Sequence, residues 1–190
     1  GYKGLLHEDI VPMKPYMAGG IAHRGGTILK TADVWNLKKK YAEKAADILR
    51  KHHIDGLVVI GGDGSLKGAE ALYRQGISVV TLPGTIDNDM PGTDETIGFD
   101  SAVNTVLQAV HKIRDTASSH DRAAVVEVMG RHAGHIALAA GLACGAEYIL
   151  VPEVPFSREK LAVSLEEQMK TGRTNSIGHL CRSADDACSG

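Results

Sequence analysis

Gly56-Leu57-Val58-Val59-Ile60-Gly61-Gly62-Asp63-Gly64-Ser65 is an apolar run broken at once by glycines. A short uninterrupted run rich in β-branched residues is how a strand buried on both faces reads, as strands of parallel sheets are. Upstream, between Asp33 and His53, Val34, Leu37, Tyr41, Ala45, Ile48 and Leu49 recur at helical spacing among Lys and Glu residues. Downstream, a helix is expected through Ala69, Ala71 and Leu72, then a second buried strand from Ile77 to Leu82 and a long loop from Pro83 to Gly98. Val103, Val106, Leu107, Val110 and Ile113 mark another helix, followed by a strand over Ala123 to Val128. His132 to Cys144 reads as a helix rich in small residues, Glu147 to Val151 as a strand, and Ser157 to about Met169 as a helix with Ser157 as its N-cap. Repeated strand and helix predict the α/β class, a doubly wound, mostly parallel sheet with helices on both faces. Residues 1–175 show no linker and read as one domain. Residues 176–190 are small, polar and aperiodic, and are expected to form a disordered tail without function.

Composition narrows the function classes. With 190 residues, 43% of them hydrophobic, the chain can bury a core of its own. A net charge of -2 offers no clustered positive field for nucleic acid or an anionic membrane. No apolar run approaches the roughly 20 residues of a membrane-spanning helix. Cys144, Cys181 and Cys188 follow neither paired nor metal-ligand spacing, which fits a reducing compartment and gives the cytoplasm as the expected location. The first residue is Gly rather than Met, with no signal-peptide pattern behind it, so the chain is expected to begin within a longer protein.

Ligands of open α/β sheets bind beyond the carboxyl ends of strands, where Gly61 to Ser65 is expected. Glycines let backbone N–H groups approach a phosphate, and the following helix N-terminus adds roughly half a positive charge. A bare carboxylate beside a polyphosphate is repelled unless a divalent cation lies between them, so Asp63 is assigned to Mg²⁺. A Gly-Asp-Gly turn with Asp63 as helix cap accounts for the same residues. Pro83-Gly84-Thr85-Ile86-Asp87-Asn88-Asp89 follows the next strand, where Asp87 or Asp89 could take the proton of a hydroxyl during phosphoryl transfer. The alternative there is a polar turn held by Asx hydrogen bonds. Met129-Gly130-Arg131 follows the third strand and Ser118-Ser119-His120-Asp121-Arg122 precedes it, each offering an arginine that could grip a sugar phosphate bidentately or make a surface ion pair. His132 and His135 have no third ligand spaced to join them and read as helix-surface residues, while His52-His53 ends a helix, where positive charge is favourable.

Taken in order, Arg24 to Thr27, Val58 to Ser65, Pro83 to Asp89, Thr96-Ile97-Gly98-Phe99-Asp100, Ser118 to His120, Val126 to Arg131 and Val151-Pro152-Glu153 closely resemble the bacterial-type, ATP-dependent 6-phosphofructokinase family, over about Gly1 to Gly172. The resemblance implies transfer of the γ-phosphoryl of MgATP to the 1-hydroxyl of fructose 6-phosphate. It implies Asp87 as proton acceptor, Thr85 beside the transferring group, Asp63 at the magnesium position, and Gly62, Gly64 and Ser65 in the nucleotide-phosphate loop. Thr85, Ile86, Asp87, Met129, Gly130 and Arg131 match sugar contacts, and Arg122 an arginine that reaches a neighbouring subunit's sugar-phosphate site. The active form would then be a homo-oligomer, a tetramer in the bacterial enzymes. Arg114, Gly145 and Glu147 match part of an allosteric nucleotide site, whose basic cluster is reduced here to Arg173. Pyrophosphate-using relatives carry Asp where Gly64 stands and Lys where Gly84 stands, side chains that fill the space of an ATP α-phosphate, so ATP is the expected donor.

Against the family's pattern, the first strand with its Gly-Gly-Asp loop does not precede Gly1. Thr31-Ala32-Asp33 stands where an arginine would stabilise the transferred phosphoryl, an effect that can be worth orders of magnitude in rate. From about Ser176 the resemblance ends, and Ile177 to Arg182 does not supply the expected apolar strand ending in a sugar-binding glutamate. Two other readings stay open. One is a nucleotide-binding segment without turnover; the other is a different Gly-Gly-Asp-Gly kinase, such as a NAD or diacylglycerol kinase, against which Pro83 to Asp89 and Met129 to Arg131 discriminate.

Overall fold

In the computed structural model, which describes residues 1–31, 39–120, 123–170 and 177–181, two short helices come first, α1 (Tyr2–Leu6) and α2 (Pro15–Gly19). Pro15 sits in the first turn of α2, where its missing amide costs nothing. There follow α3 (Lys39–Lys51), β1 (Gly56–Gly61), α4 (Asp63–Tyr73), β2 (Ser78–Pro83), α5 (Phe99–Ser119), β3 (Ala124–Val128), α6 (His135–Cys144), β4 (Tyr148–Leu150), α7 (Arg158–Lys170) and β5 (Ile177–Cys181). The start expected for α3, with Val34 and Leu37, lies outside the described residues. Ser157 caps α7 as expected, its hydroxyl accepting from the Lys160 amide at 3.3 Å.

The chain divides into two compact units, Gly1–Leu82 and Pro83–Gly190. In the first, β1 and β2 are hydrogen-bonded neighbours joined through α4. A Cβ placed on Gly56, the first residue of β1, would lie 3.3 Å from the carbonyl oxygen of Ser78, the first residue of β2. The strands therefore start side by side and run the same way. One face of the pair meets a core of Ala45, Ala46, Leu49, Leu72 and Ile77, ringed by Tyr2, Leu5, Leu6, Leu57 and Val79. Alanines at 42, 45 and 46 of α3 are buried, so that helix can lie close, and Leu49 and Leu72 contribute about 1.5–3 kcal/mol each through burial.

The expectation that these strands are covered on both faces needs correction. Val58, Ile60 and Val80 are 64%, 63% and 61% exposed, while their neighbours Leu57, Val59 and Val79 are half-buried. Successive strand residues point to opposite faces, and among the described residues of this unit the helices pack against only one.

In the second unit, β5 lies between β3 and β4 and is parallel to both, with Ala124 opposite Ile177, Val128 opposite Cys181 and Tyr148 opposite Gly178. Val126 and Val128 pack with Ile136 and Ala137 of α6 and with Phe99 and Val106 of α5. On β4, Ile149 faces Gly141 of α6, whereas the hydroxyl of Tyr148, on the other face, is 2.6 Å from Ser164 of α7. Helices thus cover both faces here, as the doubly wound reading requires. Residues 177–181, expected in a disordered tail, instead form the central strand. Their pairing is with backbone remote in sequence, which does not depend on an apolar pattern. The remaining tail, 182–190, lies outside the described residues.

Gly134 sets how closely α6 approaches the sheet. A Cβ there would be 2.4 Å from Cβ and 2.5 Å from Cγ1 of Val151, atoms that cannot swing away. Gly134→Ala is expected to lower stability by about 1–3 kcal/mol, as overpacking does. Urea unfolding followed by circular dichroism would reveal it, and a variant as stable as the parent would contradict this packing.

Candidate functional site

Polar loops follow the ends of β1 and β2. In the first, β1 runs into Gly61 and Gly62, and α4 starts at Asp63. Gly61 is obligatory, because a Cβ there would lie 2.4 Å from Oγ and 2.6 Å from Cβ of Ser65. Gly62 is the N-cap, with an extended backbone and no side-chain capping bond, and its carbonyl accepts from the amides of Ser65 at 2.9 Å and Leu66 at 3.1 Å. Asp63 is therefore the first helical residue and not the cap that a simple Gly-Asp-Gly turn would make it. Its carboxylate pairs with Lys67 one turn on, Nζ to Oδ2 2.8 Å. Such an exposed pair is worth about 0–1 kcal/mol, weak enough for a bound cation to compete with it. A Cβ on Gly64 would meet nothing within 4 Å, so the position opens on free space.

The second loop follows β2 and is built from its own side chains. Thr85 Oγ1 donates to Asp87 Oδ2 at 3.3 Å, and the Asp87 amide donates to Thr85 Oγ1 at 3.2 Å. Asn88 holds a left-handed backbone, φ +52°, which Asn tolerates better than most residues. Its Oδ1 accepts from the amide of Thr96 at 2.8 Å and from its hydroxyl at 3.3 Å, and Ile97 N donates to Pro83 O at 2.8 Å, which closes the loop. Asp87 sits inside this frame. Burial pushes its carboxyl above the usual aspartate range and the Asp89 charge pushes the same way, against the Thr85 hydrogen bond and Arg131. Arg131 Nη1 reaches Asp89 Oδ2 at 3.9 Å. Arg131 is itself left-handed, φ +59°, a conformation costing about 1–3 kcal/mol for a non-glycine residue and concentrated at functional sites.

Thr85, Asp87, Asp89 and Arg131 are thus brought together. Ile86 is different: its side chain packs into the core with Phe99 and Val128, leaving its main chain for any ligand. Met129 is 71% exposed and Gly130 is buried. Arg114 donates to the carbonyls of Cys144 and Gly145, so two of the three residues expected at an effector site touch. Arg122, Asp33 and Arg173 lie outside the described residues. The alternative of a polar turn held by Asx hydrogen bonds is met in part by Asn88, whose partner is Thr96, eight residues on, and not a neighbour in the turn. Sequence reasoning missed the pairing of Asp89 with Arg131, for which spacing carries no signal. Among the described residues no three His, Cys, Asp or Glu side chains gather into a metal cluster, and no helix is long and apolar enough to cross a membrane.

The phosphofructokinase family model matches residues 1–188. The chain belongs to the phosphofructokinase family. The ATP-dependent 6-phosphofructokinase of Paenibacillus macquariensis is 53% identical over 178 residues, 93% of this chain and 55% of the relative. That of Clostridioides difficile strain 630 is 53% identical over 178 residues, 93% of this chain and 56% of the relative. Among solved structures, Saccharomyces cerevisiae phosphofructokinase superposes with a TM-score of 0.84 at 38% identity, covering 95% of this chain and 28% of that one. The α/β fold is therefore that of phosphofructokinases, and the chain spans about half the length of the curated relatives it matches.

The raised Asp87 carboxyl gives a pH prediction. The folded chain holds that proton more tightly than the unfolded chain does, so its contribution to stability is fully present below the unfolded value, near 4, and is lost as pH rises through the folded value. Asp87→Asn is expected to be more stable than the parent at pH 7 and no more stable near pH 3.5. Urea midpoints at the two pH values would check this, and a gain of equal size at both would contradict it.

Proposed function

We propose that this phosphofructokinase chain serves transfer of the γ-phosphoryl of MgATP to the 1-hydroxyl of fructose 6-phosphate, giving fructose 1,6-bisphosphate and ADP. The observation that carries the reading is Asp87, a partly buried carboxylate fixed by Thr85 with its proton affinity raised. In that role it accepts the hydroxyl proton as the sugar oxygen bonds to the γ-phosphorus and the bond to the ADP oxygen breaks. A carboxyl shifted upward from the ordinary range is better matched to that proton at neutral pH. Thr85 orients the carboxylate beside the transferring group. Thr85, Asp87, Met129, Gly130, Arg131 and the main chain of Ile86 contact the sugar, with Arg122 contributed across a subunit interface of a homo-tetramer.

Gly62, Asp63, Gly64 and Ser65 receive the nucleotide phosphates. Mg²⁺ takes one or two carboxylates besides phosphate and water oxygens, so Asp63 alone suits it, and the ion when bound would screen the polyphosphate charge. The open space at Gly64 and the names of the ATP-dependent relatives support ATP as donor. Arg114, Gly145 and Glu147 would form part of an effector site, and the cytoplasm is the location proposed. A second reading, favoured by the match to about half of each relative's length, is a segment that binds nucleotide without turnover.

Coupled assays of ADP release by the 190-residue chain, with and without fructose 6-phosphate, separate the two readings, since nucleotide binding without sugar-dependent release favours the second. In whichever length of the protein turns over, Asp87→Ser is expected to lower kcat by about 10²–10⁴ while changing nucleotide affinity little. An unchanged kcat would refute the base assignment.

A further inference from the structure

We infer that Tyr2 is a positioning residue for the Gly61–Ser65 loop, clamping the first turn of α4 through the Ser65 carbonyl; this rests on the proposed role of that loop in holding nucleotide phosphates. The Tyr2 hydroxyl donates to Ser65 O at 2.6 Å, from 63 positions away in sequence. The ring fills the place that a side chain at Gly68 would take. A Cβ on Gly68 would lie 2.4 Å from Cε2, 2.7 Å from Cζ and 3.0 Å from the hydroxyl oxygen. Glycine is unfavourable inside a helix, and Gly68, in the middle of α4, admits the ring. Tyr2, Leu5 and Leu6 pack against the core between α3 and α4, which roots the donor. Burial pushes the Tyr2 hydroxyl up to about 12, so it remains a neutral donor throughout the physiological range.

The loop needs such a restraint. Three of its five residues are glycine, the residue with the most conformational freedom to lose, and its N-cap makes no side-chain bond. Amides of the first turn point at an anion only as well as that turn is held. A tyrosine outside the loop, bonded to a carbonyl of that turn, fixes it without occupying the phosphate side.

Tyr2→Phe keeps the ring and removes only the donor. Hydrogen exchange on the whole chain is expected to quicken about fivefold at the amides of residues 65–69, with those of α3 and β1 unchanged, as loss of one hydrogen bond would give. MgADP affinity by calorimetry is expected to fall by a similar factor. Gly68→Ala, which displaces the ring, is expected to reproduce both effects, whereas added to Tyr2→Ala, where no ring is left to displace, it is expected to bring no further loss and to slow exchange in α4, as Ala for Gly inside a helix does. Exchange in Tyr2→Phe equal to the parent's, or quickened evenly across α3, α4 and β1, overturns the clamp. Local quickening with undiminished MgADP affinity overturns the positioning role. A parent chain that does not bind MgADP counts against the nucleotide reading, and the exchange data then decide the clamp on their own.

Discussion

Strands that pair in the same direction cannot be joined by a two-residue turn; each must be followed by a crossover, and here the crossovers are helices. That constraint sets where chemistry can lie. Each strand end becomes a turn into a helix or a loop, and the helix contributes the positive end of its dipole there. The Gly61–Ser65 turn and the Pro83–Asp89 loop both begin where a strand stops. Apart from Ile86, which packs inward, the side chains of these loops are free to be acidic, hydroxylic and small.

Close packing makes those turns rigid. Gly61 accommodates Ser65, Gly68 accommodates Tyr2, and Gly134 accommodates Val151, in each case at a separation no real Cβ would tolerate. The glycines at 61, 68 and 134 are thus fixed by neighbours, not only by backbone conformation. The Pro83–Asp89 loop obtains its rigidity differently, through the Asn88 bonds to Thr96 and the mutual bonds of Thr85 and Asp87.

Much of this was legible in the sequence. Runs such as Leu57 to Ile60 and the helical spacing around Ala45 and Leu49 announce strand and helix because local pattern and tertiary environment agree. The glycine turn with Asp63, and the Thr85 to Asp87 loop, were legible as strand-end loops because glycine and polar residues follow each apolar run at once. What escaped depends on partners distant in sequence. Ile177-Gly178-His179-Leu180-Cys181 has no alternation and pairs through its backbone. Val58 and Ile60 lie on a face that no described residue of their unit covers, and an apolar run cannot say which face is covered. Ile86 turns inward and Tyr2 reaches Ser65 across 63 positions, neither of which spacing encodes.

In the proposed function, Asp63 makes the Gly61–Ser65 turn a site for phosphate only when a divalent cation stands between them. Calorimetric titration of ADP into the chain, with Mg²⁺ and with the metal chelated, tests it most directly. Binding is expected to weaken at least about tenfold without Mg²⁺, and Asp63→Asn to remove most of that difference. ADP bound equally well by the parent in chelator and in Mg²⁺ would contradict it.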